Sequence, residues 1–205
     1  VKRCIEDVGV GFMFAPAHHS ATRHAAGPRK ELGVRTLFNV LGPLTNPAAA
    51  PIQLMGVFDR KWQRIAVEVL ARLGTQRAFV VTAEDGLDEL SIGSKTHIAS
   101  LDNGVVDYFD FDPTSHGFSS QPLSTLAAKD AADSARIIKN VFQNQPGPAF
   151  DIVRLNAGAA IYLGGIGESI DNGIEIATNV IANGLAKTKL QEFVDYTNSL
   201  EPQTS

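Results

Sequence analysis

Two apolar runs flanking an amphipathic stretch, within residues 52–82, constrain the fold more than any other feature of this sequence. Ile52 to Val57 and Arg77 to Thr82 (RAFVVT) read as strands. Between them Trp62, Ile65, Ala66, Val69, Leu70 and Leu73 recur at three- and four-residue spacing, with Lys61, Gln63, Arg64, Glu68 and Arg72 opposite them. That spacing predicts a helix with one buried face. A strand, a helix and a strand in this order are expected to place the two strands parallel through a right-handed crossover. The class predicted is α/β, a central, mostly parallel sheet with flanking helices.

Val8 to Phe14 (VGVGFMF) reads as a short buried strand or as a helix fragment; the strand reading would leave His18 and His19 just past its carboxyl end, where open α/β sheets place their ligands. Gly27-Pro28 breaks the next segment, with a short exposed turn carrying Arg29, Lys30 and Glu31 up to Gly33. Asn39, Gly42, Pro43, Asn46 and Pro47 predict a loop. Residues 95–111 predict a hairpin turning at Asp102-Asn103-Gly104. Helices are expected over Thr125–Phe142, Phe150–Leu163, Ser169–Asn183 and Leu185–Leu200. The run Gly164-Gly165-Ile166-Gly167 follows a helix rather than a strand, so it reads as helix termination and not as a phosphate loop. One α/β domain is expected over residues 1–200, with a frayed tail at residues 201–205.

Charge and cysteine content narrow the partners. A net charge of -4 lacks the broad basic field that nucleic acid requires. The sequence has no apolar run of membrane-spanning length, and the acidic residues of VKRCIEDVGV stand where a secretory leader would be apolar. A single cysteine, Cys4, excludes a disulfide or a cysteine-built zinc site within these residues. A cytoplasmic protein is expected, without nucleic-acid or membrane partners.

Two stretches carry chemistry. From Phe14 to Ala48, three histidines, three arginines and a lysine are threaded among Gly, Pro, Asn and small residues, a composition suited to holding anions. The structural alternative is that Arg29 and Arg35 form ordinary surface ion pairs with Glu31 or another acid. Glu84, Asp85, Asp88 and Glu89 place four carboxylates in six residues after the second strand. Such a loop either caps the next segment in solvent or holds a divalent cation, and the adjacent pair Asp88-Glu89 suits magnesium, which takes one or two protein carboxylates and completes its shell with water and phosphate oxygens. His97 and His116 have no neighbours at metal-ligand spacing and read as structural or surface residues.

The segments HHSATRHAAGPRKELGVRTLFNVLGPLTNPA, EDGLDELS and RLNAGAAIYLGG closely resemble anthranilate phosphoribosyltransferases, which belong to the nucleoside phosphorylase-like class of phosphoribosyltransferases. The resemblance runs through the whole chain, and RTLFNVLGPLTNP is its most specific part.

That resemblance implies a pentosyltransferase catalytic domain of the nucleoside phosphorylase/phosphoribosyltransferase type, acting on anthranilate and phosphoribosyl pyrophosphate in tryptophan biosynthesis. His19, Arg29 and Gly42 fall on positions that contact anthranilate, with Arg29 the partner of its carboxylate. Asp88 and Glu89 fall on the acidic pair that holds magnesium against pyrophosphate. No acid or base residue is assigned. The resemblance also implies a homodimer for the intact enzyme, and it covers the C-terminal portion of the family's chain. The helical domain, GTGGD loop and KHGN-type segment that precede the match in the family are not in this sequence, so the 205 residues alone are expected to be inactive. The competing readings are a pyrimidine-nucleoside phosphorylase-like enzyme and a non-enzymatic nucleic-acid-binding relative.

Overall fold

The computed structural model describes residues 1–13 and 38–200. Helix α1 (Lys2–Val8) ends where Gly9 turns left-handed, at φ 85°, and donates its N–H to the carbonyls of Cys4 and Ile5. The strand reading of Val8–Phe14 is therefore not met over its described part: of the two readings the helical one holds at Val8, which closes α1, and Phe12 is 71% exposed. The glycines that made VGVGFMF look like spaced strand residues instead include the helix cap. Among the described residues the next helix, α2 (Phe38–Leu44), replaces the predicted loop around Asn39, Gly42 and Pro43, packing on the helix that follows β1. Thr45 then closes its last turn, donating from Oγ1 to the carbonyl of Leu41 at 2.9 Å.

Strand β1 (Ile52–Gly56), helix α3 (Arg60–Arg72) and strand β2 (Arg77–Ala83) form the expected unit, and β1 and β2 are parallel. Asp59 caps α3, its carboxylate accepting from Lys61 N–H at 3.0 Å. The buried face of α3 is rotated from the predicted one and runs through Gln63, Ala66, Val67 and Leu70, leaving Ile65 50% and Leu73 61% exposed. Gln63 is tolerated on that face because its Nε2 donates to the carbonyls of Val80 and His97, each at 2.7 Å.

Strands β3 (Thr96–Asp102) and β4 (Val105–Phe111) form the expected hairpin, with Asn103 and Gly104 at φ 47° and 88° in its turn. The described sheet runs β1-β2-β3-β4 and is mixed, since β3 is antiparallel to both β2 and β4. The parallel character expected of the sheet resides in its first pair. Hairpin chemistry reverses the chain at Asn103-Gly104, where a crossover would be needed to continue in parallel.

Beyond β4 come short 3-10 turns at Pro113–His116 and Leu123–Leu126, then α4 (Ala131–Phe142), α5 (Pro148–Leu163), α6 (Ile170–Ala182) and α7 (Leu185–Ser199). Helix α4 starts later than Thr125 because Asp130 caps it, accepting from Asp133 N–H at 2.8 Å. Gly164 and Gly165 terminate α5, as read from GGIG, with Gly165 at φ 74°. Helix α1 docks on α7, where Lys189 Nζ donates to the carbonyl of Val8 at 3.0 Å and the Tyr196 hydroxyl bonds Asp7.

Strand β2 sorts the core by alternation. Ala78 and Val80 face α3 together with Met55, Ala66, Val67, Leu70, Ala99 and Leu101. Phe79 and Val81 face the opposite layer with Leu90, Ile92, Ile98, Leu155, Leu163 and Ile174. Each fully buried Leu, Ile or Phe of these layers contributes about 1.5–3 kcal/mol of transfer free energy. Helices α5 and α6 cross in near contact: a Cβ on Gly173 would lie 2.2 Å from the carbonyl oxygen of Gly158.

Candidate functional site

The acidic stretch leaves β2 as a built loop. Gly86, at φ 88°, allows a tight turn in which its N–H donates to Ala83 O, while Ala83 N–H donates to Leu87 O. Asp85 serves the loop itself: Oδ1 accepts from Leu87 N–H at 3.2 Å and Oδ2 from the buried Ser91 hydroxyl at 2.6 Å. Ser91 in turn donates its N–H to Thr96 Oγ1 and accepts from Gly93 N–H. Glu84 faces His97, with Oε1 3.8 Å from Nε2.

This division leaves Asp88 and Glu89. Both residues are exposed, and among the described residues neither carboxylate accepts a hydrogen bond or pairs with a cation. Their backbone, in contrast, is held. Gly56, ending β1, lies so near Asp88 that a Cβ would stand 1.6 Å from its carbonyl oxygen. Leu90 is fully buried in the core, and both its N–H and its C=O bond the side chain of Asn156 on α5.

The electrostatics of the pair follow from this placement. The Glu89 carboxyl is pushed above the ordinary glutamate range, first by desolvation and second by the charge of Asp88 beside it. Desolvation has a visible source: Glu89 and Leu87 border a hollow of about 360 Å³ walled by Ile137, Val141, Phe142 and Ile152. Two adjacent oxygen donors that repel one another, one of them partly desolvated, fit a hard divalent cation whose remaining ligands are water or phosphate oxygens. They do not make an all-protein cage, and among the described residues no group of three or more His, Cys, Asp or Glu stands in position to bind a metal.

Gly42 lies on α2, where a Cβ would meet no described heavy atom within 4 Å. His19 and Arg29, like Arg35 and Glu31, lie outside the described residues. His97 and His116 are tied to aspartates, with Nδ1 2.6 Å from Asp110 and 2.5 Å from Asp171 respectively, and His116 stacks on Phe111. Both pairings agree with a structural role. The sequence reading missed Gly56 and Asn156. A lone glycine ending an apolar strand and a lone amide in a largely apolar helix are the signals that mark them.

Residues 1–187 match the model of the glycosyl transferase family, a/b domain. The chain belongs to this family. Within the glycosyl transferase family, the chain is 53% identical over 199 residues to the anthranilate phosphoribosyltransferase of Thioalkalivibrio sulfidiphilus, covering 97% of this chain and 59% of that protein. The enzyme of the same name from Methylococcus capsulatus is 52% identical over 191 residues, covering 93% and 56%. The chain thus spans about three fifths of the length of the curated relatives it matches.

Among solved structures, the anthranilate phosphoribosyltransferase of Thermus thermophilus superposes with a TM-score of 0.88 at 38% identity, covering 97% of this chain and 59% of that one. The Saccharomyces cerevisiae enzyme in complex with phosphoribosyl pyrophosphate and magnesium superposes with a TM-score of 0.83 at 28% identity, covering 92% and 55%. Another structure of the yeast enzyme holds 4-fluoroanthranilate, with a TM-score of 0.86 at 27% identity over 96% of this chain and 58% of that one. These matches agree with the α/β fold read from residues 52–82. Among the described residues, no helix is long and apolar enough to cross a membrane.

Proposed function

We propose that the full-length protein to which these residues belong transfers the phosphoribosyl group of phosphoribosyl pyrophosphate to anthranilate, giving phosphoribosyl anthranilate and pyrophosphate in tryptophan biosynthesis. The observation that carries this reading is the pair Asp88-Glu89, without partners among the described residues and with the Asp88 backbone against Gly56 at the end of β1, in a chain 53% identical over 199 residues to an enzyme of that name. Residues 1–200 form its α/β catalytic domain, and the 205 residues alone are inactive. The enzyme is a cytoplasmic homodimer with small-molecule substrates and neither nucleic-acid nor membrane partners.

In this mechanism the nucleophile needs no activation. An aryl amine is neutral at pH 7, so its nitrogen attacks ribose C1 directly as the bond from C1 to pyrophosphate oxygen breaks, and the surplus amine proton is then lost. Positive charge develops on the ribose, and catalysis is mainly positioning and electrostatics. Arg29 offers its planar fork to the anthranilate carboxylate, His19 orients the same substrate, and Gly42 leaves room for the aromatic ring. Asp88 and Glu89 would hold magnesium, whose positive charge would stabilise the pyrophosphate leaving group.

Anthranilate consumption by the full-length protein, followed by loss of its fluorescence with phosphoribosyl pyrophosphate and magnesium present, tests the reading. Turnover that requires all three components is expected. Absence of turnover in the folded full-length protein would refute it.

A further inference from the structure

Asp88 and Glu89 lie on a short stretch of chain anchored at both ends. At one end the carbonyl of Asp88 rests on Gly56, in space that any side chain would fill. At the other, Leu90 N–H donates to Asn156 Oδ1 at 3.0 Å, and Asn156 Nδ2 donates to Leu90 O at 2.9 Å. This paired amide contact satisfies both backbone groups of a residue whose side chain is buried in the core. Asn156 is itself oriented, because Nδ2 also donates to Ile152 O at 3.0 Å, one turn back along α5. The seat of α5 is set by Gly158, where a Cβ would lie 2.5 Å from Ile174 N on α6. Between the two backbone anchors, at residues 88 and 90, only Glu89 intervenes.

We propose that Asn156 is a positioning residue for the acidic pair, setting through the backbone of Leu90 the direction in which Asp88 and Glu89 present their carboxylates to a metal–diphosphate. The proposal rests on the reading of Asp88-Glu89 as the metal-holding pair. Geometry favours this role over plain helix packing. A leucine at position 156 would fill the same space, but it could neither accept from Leu90 N–H nor donate to Leu90 O. An aspartate would keep the acceptor and lose the donor, setting a carboxylate oxygen against the carbonyls of Leu90 and Ile152.

The test uses the full-length protein and the manganese–pyrophosphate complex as probe, with binding measured by calorimetry. Partners that orient metal ligands typically contribute 10- to 100-fold to metal affinity. Asn156→Asp and the milder Asn156→Ser should each weaken binding about 10-fold or more, while the KM for anthranilate stays within about 2-fold of wild type. A purely structural role would move both constants together or neither. If Asp88→Asn with Glu89→Gln abolishes binding while folded Asn156→Ser binds as wild type, the positioning role is overturned and the metal reading stands. If the double variant itself binds the probe as wild type, the metal reading fails and the positioning role falls with it. Loss of anthranilate affinity in step with probe affinity in Asn156→Ser also overturns the proposal.

Discussion

Gly56 and Asp88 make a contact that only glycine permits, since a Cβ at residue 56 would stand 1.6 Å from the Asp88 carbonyl oxygen and 2.6 Å from its carbon. The obstacle is backbone, so no rotamer change relieves it. The end of β1 and the acidic loop after β2, separated in sequence by α3 and β2, are thereby locked at one distance. A demand for close approach, met by a missing side chain, brings the backbone of Asp88 against the end of the sheet.

Gly56→Ala is expected to destabilise the protein by about 1–3 kcal/mol, the usual cost of overpacking a closed site. It should also displace the acidic loop, lowering magnesium-dependent turnover. Thermal melts and a magnesium titration check the two effects. Wild-type stability would show that the loop moves away freely.

Gly42→Ala should behave oppositely. The position is helical and a Cβ there meets no described atom within 4 Å, so stability should hold or rise by up to about 1 kcal/mol through helix propensity. If the residue borders the anthranilate ring, the KM for anthranilate rises while the melting temperature does not fall. An unchanged KM removes Gly42 from the pocket.

Glu89→Gln separates charge from shape. The raised Glu89 carboxyl binds its proton more tightly in the folded than in the unfolded chain. Folding stability from this group is therefore lost as pH rises from the ordinary glutamate range through the raised value, and beyond it the ionised form remains a burden. The variant should lose less stability than wild type between acidic and neutral pH, and added magnesium should narrow the difference by stabilising only the wild type. Parallel melting-temperature profiles against pH would contradict the desolvated placement of Glu89.

Arg29→Ala in the full-length enzyme should raise the KM for anthranilate by about 10- to 100-fold, the range set by losing a hydrogen bond to a charged group, while kcat changes much less. Steady-state constants equal to wild type would exclude Arg29 as the carboxylate's partner.

Local patterning made part of this molecule legible. The β1-α3-β2 unit followed from apolar spacing, and the hairpin followed from Asn103-Gly104, which supplies the positive φ values of its turn. Local patterning failed where a residue served a neighbour. Gly9 reads as part of a strand until its N–H is seen closing α1, and Gly42-Pro43 reads as a loop until α2 is seen packed on α3. Gln63 reads as a solvent-facing residue because its two buried acceptors, at Val80 and His97, lie on other elements. Within the candidate site, Asp88 and Glu89 were visible as an acidic pair. The division of labour that leaves them without partners among the described residues was not, because Asp85 is satisfied by Ser91, and Asn156 reaches Leu90 across 66 residues of sequence.

A magnesium titration of anthranilate turnover decides whether Asp88 and Glu89 hold the metal of a phosphoribosyl transfer. It compares the full-length enzyme with its Asp88→Asn, Glu89→Gln double variant. The folded double variant is expected to lose magnesium-dependent turnover across the titration; wild-type turnover with an unchanged magnesium dependence would show that the pair does not hold the metal.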